Sequence, residues 1–337
     1  MRRIDNLRNR VCDASTGIGM NDCKIGLALG GGSARGWSHI GVLRALTGAG
    51  IYPDIIAGTS MGAVVGGCYV AGELDALEDF ARSLTRRKVL GFLDFNLAGS
   101  GLIHGQRLSD TLEARLKGVA IETLDKKFVA VATEIGTGNE TWLGRGSLVE
   151  AMRASYALPG IFKPLLIDGR WLFDGALVNP IPVSVCRALG ARYVIAVNVN
   201  TDACGRGTVV SHMEALPPPI DMTPPEETGG ALARNGRAMK KLLQRQFFGR
   251  DDNAPGISRV MMEAFNIVQD RIARSRLAGD PPDAIIAPKL PSFGLFDFHR
   301  ADAMIQCGIT AAKREIEDIR REVASRRMVG SLLARSA

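Results

Sequence analysis

The chain has 337 residues, 46% of them hydrophobic and 23% charged, a balance that excludes disorder as its main state. That length makes one large or two ordinary domains and buries most of the apolar surface on folding. The formal charge of +7 admits a negatively charged surface, phospholipid or nucleic acid, without requiring one.

The first 23 residues, "MRRIDNLRNRVCDASTGIGMNDC", carry basic residues with no apolar run behind them, so no signal peptide is expected and the segment reads as a poorly ordered lead-in. The six cysteines, at 12, 23, 68, 186, 204 and 307, show neither C-x-x-C nor metal-ligand spacing with the four histidines. They fit free, buried thiols in a reducing, cytoplasmic setting.

"KIGLAL" (24–29) is a continuous apolar run, a candidate buried parallel strand. The loop Gly30-Gly31-Gly32-Ser33-Ala34-Arg35-Gly36 then opens a helix on which Ile40, Leu43 and Leu46 recur every three residues, with Gly48 and Gly50 marking its end. The loop lacks the Gly-Lys-Ser/Thr ending of a phosphate loop, and Arg35 stands where a dinucleotide fingerprint needs glycine. Its bare amides still suit a negative charge, such as the oxyanion of an acyl-transfer intermediate.

Between Asp54 and Glu73 lie eighteen residues without charge, "IIAGTSMGAVVGGCYVAG", near the length of a membrane span. Five glycines, each costing an isolated helix roughly 1 kcal/mol relative to alanine, argue against one. Gly58-Thr59-Ser60-Met61-Gly62 is instead the G-x-S-x-G pattern of a serine on a sharp strand-to-helix turn. "DIIAGT" becomes a short buried strand, Ser60 the elbow, and the remainder a buried helix ending near Gly72. Gly58 and Gly62 stand where a side chain would collide with a neighbouring strand or helix.

A helix is expected over 74–88, paired strands at 127–135 and 139–144, a helix in "VSVCRALGA", and an apolar strand within 192–200. Strands alternating with helices imply a mostly parallel sheet covered on both faces. In "LLIDGRWLFDGALVNPIPV", Asp168-Gly169 lies between two apolar runs and reads as a hairpin turn. Asp174-Gly175-Ala176 leaves a carboxylate at a strand end, where sheets of this class place their sites. Asp168 is therefore expected to be structural and Asp174 catalytic. His39, His104, His212 and His299 are the histidines that could serve a serine, and none has a local signature.

Residues 201–230 hold five of the fifteen prolines and no periodicity, a linker or mobile loop. Helical segments follow at 231–248 and 257–278, then a short strand "AIIAP" able to rejoin the sheet. The last helix carries Ile305, Ile309, Ala312, Ile316, Ile319 and Val323 along one stripe that docks it on the body. Segment 231–250 has six basic residues and no acid, interleaved with leucines and phenylalanines, the pattern of a helix lying peripherally on an anionic membrane.

The ordered set "GGGSARG", "GTSMG", "SYALPGIF", "DGA" and "NPIPV", spanning roughly Lys24 to Asn200, resembles the patatin-like phospholipases, especially their bacterial members. The resemblance implies an α/β fold of three layers, α/β/α, with a helical C-terminal extension. It divides the chain into the lead-in 1–23, a catalytic domain 24–200, the linker 201–230 and a mainly helical region 231–337 packing on that domain. It implies hydrolysis of lipid or phospholipid acyl esters by a Ser-Asp dyad, with no histidine, no metal, no cofactor and no nucleic-acid partner. Carried over, Ser60 is the nucleophile, Asp174 its partner, and Gly31, Gly32 and Ser33 supply the oxyanion donors. Gly30, Arg35, Gly36, Gly58, Gly62 and Gly175 support the motifs. Ser33 replaces a glycine that many relatives have, and Arg35 matches the family's basic position. An acyltransferase using the same serine, or a non-catalytic adaptor on the same fold, remains open at this point.

Overall fold

The computed structural model describes residues 23–86, 89, 106–201, 257–290 and 292–335. The expected lead-in and linker, segment 231–250, and His104, His212, Cys12 and Cys204 fall outside these, save for the end residues Cys23 and Thr201.

Five strands run parallel: β1 (Ile25–Leu29), β2 (Ile55–Thr59), β3 (Lys127–Glu134), β7 (Tyr193–Val197) and β8 (Ala284–Ile286). β4 (Glu140–Leu143) and β6 (Arg170–Asp174) pair antiparallel with β3, and β5 (Leu165–Ile167) pairs antiparallel with β6. The hydrogen-bonded path runs β5-β6-β3-β2-β1-β7-β8, with β4 also on β3. β1, β2 and β7 are buried at every residue, which is why they read as unbroken apolar runs rather than alternating ones.

Helices cover both faces. Against Leu27, Leu29, Ile56 and Phe128 pack α1 (Ser38–Gly48), α2 (Met61–Val70), α5 (Leu148–Ser155) and α8 (Ala301–Arg335). Against Ala28, Ala57, Val131 and Ala196 pack α6 (Val183–Ala188) and Ala273 of α7 (Ile257–Gly279). The result is the expected α/β/α sandwich around a mostly parallel sheet. β8 extends the sheet beside β7, and Ile286, Met304 and Ile305 belong to the same core as β1. The predicted stripe of the last helix is seated: Ile305, Ala312, Ile316, Ile319 and Val323 are buried and Ile309 half-buried. α8 comes close to α1 because Gly41 and Gly308 lack side chains; a Cβ on either would strike the opposing backbone at Ile305 or Ser38.

Two local expectations differ. The helix read as 74–88 is interrupted: α3 is Leu74–Ser83, Leu84 turns extended (ψ 121°) to bury its side chain in the core, and the chain is helical again at Arg86 and Val89. The glycine loop does not enter α1 directly but through a 3-10 turn, Ser33–Trp37. The Asp168-Gly169 hairpin is as read, with both residues left-handed (φ 49° and 76°), the geometry a two-residue turn matching strand twist requires. Among the described residues no helix is long and apolar enough to cross a membrane.

β4 lies along β3 from Ala130 to Thr133, and a strand has only two edges. On the other edge β2 pairs up to Val131 and β6 pairs from Ala132 onward. β2 runs parallel to β3 and β6 antiparallel, so their C-terminal ends meet head to head.

Candidate active site

That meeting point brings two distant motifs together. Thr59, the last residue of β2, stands opposite Val131, and Asp174, the last of β6, opposite Ala132. Ser60 follows at the elbow into α2 with φ 55° and ψ −125°, a backbone region costly for a residue with a side chain and held only by firm surroundings. Gly58 and Gly62 make the turn possible. A Cβ at Gly58 would lie 2.5 Å from the Cα of Ala63, and one at Gly62 would strike the carbonyl of Leu29 at the end of β1.

The Ser60 hydroxyl donates to Asp174 Oδ2 at 2.6 Å. Asp174 Oδ1 accepts from the Ala176 amide at 2.9 Å, and its carbonyl accepts from Thr133 Oγ1 at 2.9 Å. The carboxyl is buried; loss of water pushes its pKa up to about 7, against the opposing pull of the hydrogen bonds from Ser60 and Ala176. Gly175 lets β6 end against β3, since a Cβ there would meet the carbonyl of Val131.

A residue not singled out from sequence, Ser155, locks the elbow from behind. Its hydroxyl accepts from the Ser60 amide at 2.9 Å and donates to Val131 O at 2.6 Å. It is wholly buried at the end of α5. Its position at the head of "SYALPGIF" was the only signal for it.

The glycine loop lies alongside. Gly30 N donates to Val197 O at 3.1 Å and Gly31 N to Pro180 O at 3.0 Å. Gly31 is thus corrected as an oxyanion donor: its amide is already engaged. The amides of Gly32 and Ser33 have no acceptor among the described residues, and both residues line the cavity that reaches Ser60 and Asp174. Ser33 takes φ 50°, and its hydroxyl donates to Leu295 O at 2.7 Å. Arg35 is turned to the protein: Nε donates to Phe293 O at 3.0 Å and Nη1 to Asn200 Oδ1 at 3.3 Å. Gly36 leaves room for the side chain of Met61.

Neither described histidine serves the serine. His39 is buried, its Nε2–H donating to Gly30 O at 2.7 Å, and burial holds its pKa down at about 4, so the ring is neutral. His299 accepts from Arg86 Nε at 3.1 Å on the surface. Among the described residues no three His, Cys, Asp or Glu side chains gather as a metal site.

Apart from the dyad and the loop, most of the cavity wall is apolar, with Leu108, Tyr156, Leu158, Phe162, Phe265 and Phe298 among its residues, and Asn266 and Gln269 add a polar strip. Phe265 comes from α7, which exposes Val260, Met261, Ile267 and Val268 to solvent.

A family model described as patatin-like phospholipase matches residues 27–187. An uncharacterised NTE family protein of Mycobacterium bovis is 33% identical, covering 89% of this chain and 93% of its own length. The chain belongs to the patatin-like phospholipase family. A second uncharacterised NTE family protein of that organism is 30% identical over 87% of this chain and 46% of its own. Lysophospholipase NTE1 of Coccidioides immitis is 28% identical over 88% of this chain and 18% of its own. For a patatin-like phospholipase the reaction class is lipid acyl hydrolysis and the substrate class lipid esters.

Proposed function

We propose that this chain is a serine esterase that cleaves lipid acyl esters through Ser60 and Asp174 by way of an acyl-enzyme. The observation that carries this reading is the 2.6 Å hydrogen bond from the Ser60 hydroxyl to a buried carboxylate. Asp174 takes the hydroxyl proton as Ser60 Oγ attacks the ester carbonyl, and the amides of Gly32 and Ser33 stabilise the oxyanion. The proton passes to the leaving alcohol or lysolipid, and water then cleaves the acyl-Ser60 ester by the same route. A free aspartate, with a reference pKa of about 3.9, is a weak base for this task. Burial lifts Asp174 to about 7, nearer the operating pH, where a general base is most effective.

The mostly aliphatic and aromatic wall of the cavity, polar only at Asn266 and Gln269, supports an acyl chain as the group presented to Ser60. Lipid delivery is supported by the basic and apolar spacing of 231–250. Deleting that segment should weaken co-sedimentation with anionic liposomes, and unchanged binding defeats the membrane role.

The deciding experiment is labelling with a fluorophosphonate followed by peptide mapping. Label is expected on Ser60 and absent in Ser60→Ala. A folded protein that takes no label from several probes overturns the enzyme reading. Adding alcohol acceptors and analysing products separates hydrolysis from acyl transfer.

A further inference from the structure

The carbonyls of Gly30 and Gly31 are each held by a side chain, and this decides which amide is left for chemistry. The described backbone has no cis peptide, and in a trans peptide the C=O and the following N–H point in opposite directions. The peptide between Gly30 and Gly31 is tied at both ends, its carbonyl by His39 Nε2–H and its amide to Pro180 O. It has nothing left to offer a substrate.

The next peptide is different. Its carbonyl, Gly31 O, accepts from Asn200 Nδ2 at 2.8 Å, while its amide, Gly32 N–H, has no acceptor among the described residues. Holding the carbonyl on one side sends the amide to the other. Gly32 has no side chain, so what it presents to the cavity of Ser60 and Asp174 is main chain. A hydrogen bond to the carbonyl also polarises the peptide and makes its N–H a stronger donor.

Asn200 is itself fixed. Its amide donates to Asn198 Oδ1 at 3.0 Å, and its Oδ1 accepts from Arg35 Nη1, whose Nε is anchored on Phe293 O. With Oδ1 facing a guanidinium, Nδ2 must face the Gly31 carbonyl, since only the NH₂ group donates.

We infer that Asn200 is a positioning residue: by holding the Gly31 carbonyl it aims the Gly32 amide at the oxyanion formed on Ser60. Arg35 acts one step further back, by fixing which way the Asn200 side-chain amide faces. The inference rests on the proposed role of Ser60.

Asn200→Asp is the sharpest test. The change is nearly isosteric and keeps an acceptor for Arg35, but it sets a carboxylate oxygen against the Gly31 carbonyl. Asn200→Ala removes the donor without adding a charge. Turnover is measured per fluorophosphonate-titratable site on a soluble ester, with circular dichroism and a thermal midpoint for each variant.

Both variants should lose kcat by about tenfold to a thousandfold, the upper end being the loss of a whole oxyanion donor. KM should stay within about twofold, because the interaction exists only in the transition state. The phosphonylation rate should fall in parallel, since the phosphonyl oxygen occupies the same place. In Asn200→Ala, which adds no charge, the apparent pKa of the rate profile should not move, because Asp174 is untouched. Either folded variant keeping kcat per site within about twofold of wild type overturns the inference, as does activity that falls only in proportion to titratable sites. A wild type that neither takes label nor cleaves ester defeats the proposed function instead.

Discussion

Thr59 and Asp174 stand on consecutive rungs of one strand, opposite Val131 and Ala132. β3 serves as a common ruler along which a parallel and an antiparallel strand end at the same place. The separation of Ser60 from Asp174 therefore follows from sheet register and owes little to loop conformation. Sites carried on strand ends are held more tightly than sites carried on loops.

The first consequence is a pH dependence. Only ionised Asp174 can accept the Ser60 proton, and burial sets its pKa at about 7. On a neutral ester, kcat/KM should rise about tenfold per pH unit below that point and level off above it. A profile that is flat from about pH 5 upward, where an ordinary carboxylate is already ionised, would remove Asp174 as the base.

Ser155 supports the strained elbow by pairing the Ser60 amide and the Val131 carbonyl at once. Ser155→Ala leaves both buried groups unpaired and should cost about 1–3 kcal/mol for each group so orphaned, less whatever relaxation recovers. Denaturant unfolding measures that loss, and turnover per active site should fall with it as Ser60 loses its backing. Asp174→Ala, by contrast, should abolish turnover without disturbing the elbow hydrogen bonds.

The elements that could be read in the sequence are those where a backbone demand selects a residue type locally. Gly58 and Gly62 mark a turn no side chain could survive, and Asp168-Gly169 marks a left-handed hairpin. Continuous apolar runs mark strands covered on both faces. Gly31 could not be assigned from its own neighbourhood, because its amide is engaged by Pro180, which is distant in sequence. Ser155 and Asn200 were missed for the same reason: each acts through backbone that only the fold brings within reach. The break after α3 was missed because residues 84–88 continue a helical composition, while burial of Leu84 interrupts the helix before it resumes at Arg86.

Gly175 separates the catalytic reading of "DGA" from a purely structural one. A Cβ at this position would meet the Val131 carbonyl, so Gly175→Ala should cost about 1–3 kcal/mol by overpacking. Because backbone must move, Asp174 moves with it, and phosphonylation of Ser60 should slow. Gly169→Ala strains the hairpin at φ 76° but should leave the rate of the folded fraction unchanged. Equal slowing in both variants would mean that the β5-β6 hairpin as a whole, rather than the Asp174 end of it, governs the reaction.

Two buried groups next to the site pull stability in opposite directions with pH. The folded chain keeps the Asp174 proton up to about 7, whereas the unfolded chain loses it near 3.8. This preference stabilises the fold fully below about 3.8 and is lost as pH rises toward 7, on the order of 4 kcal/mol. His39 behaves in the opposite sense. Its pKa is about 4 folded and 6.5 unfolded, so its stabilisation is present above 6.5 and lost as pH falls toward 4. Over the shared window the two contributions largely cancel in the wild type. Asp174→Asn keeps the shape and an acceptor for the Ala176 amide but removes one partner of this opposition. The variant should be inactive, yet gain in thermal midpoint relative to wild type as pH rises from about 4 to about 7, with a constant difference above that. A difference that does not change with pH would show that Asp174 titrates like an ordinary carboxylate, and the base assigned to Ser60 would lose its driving force near neutral pH.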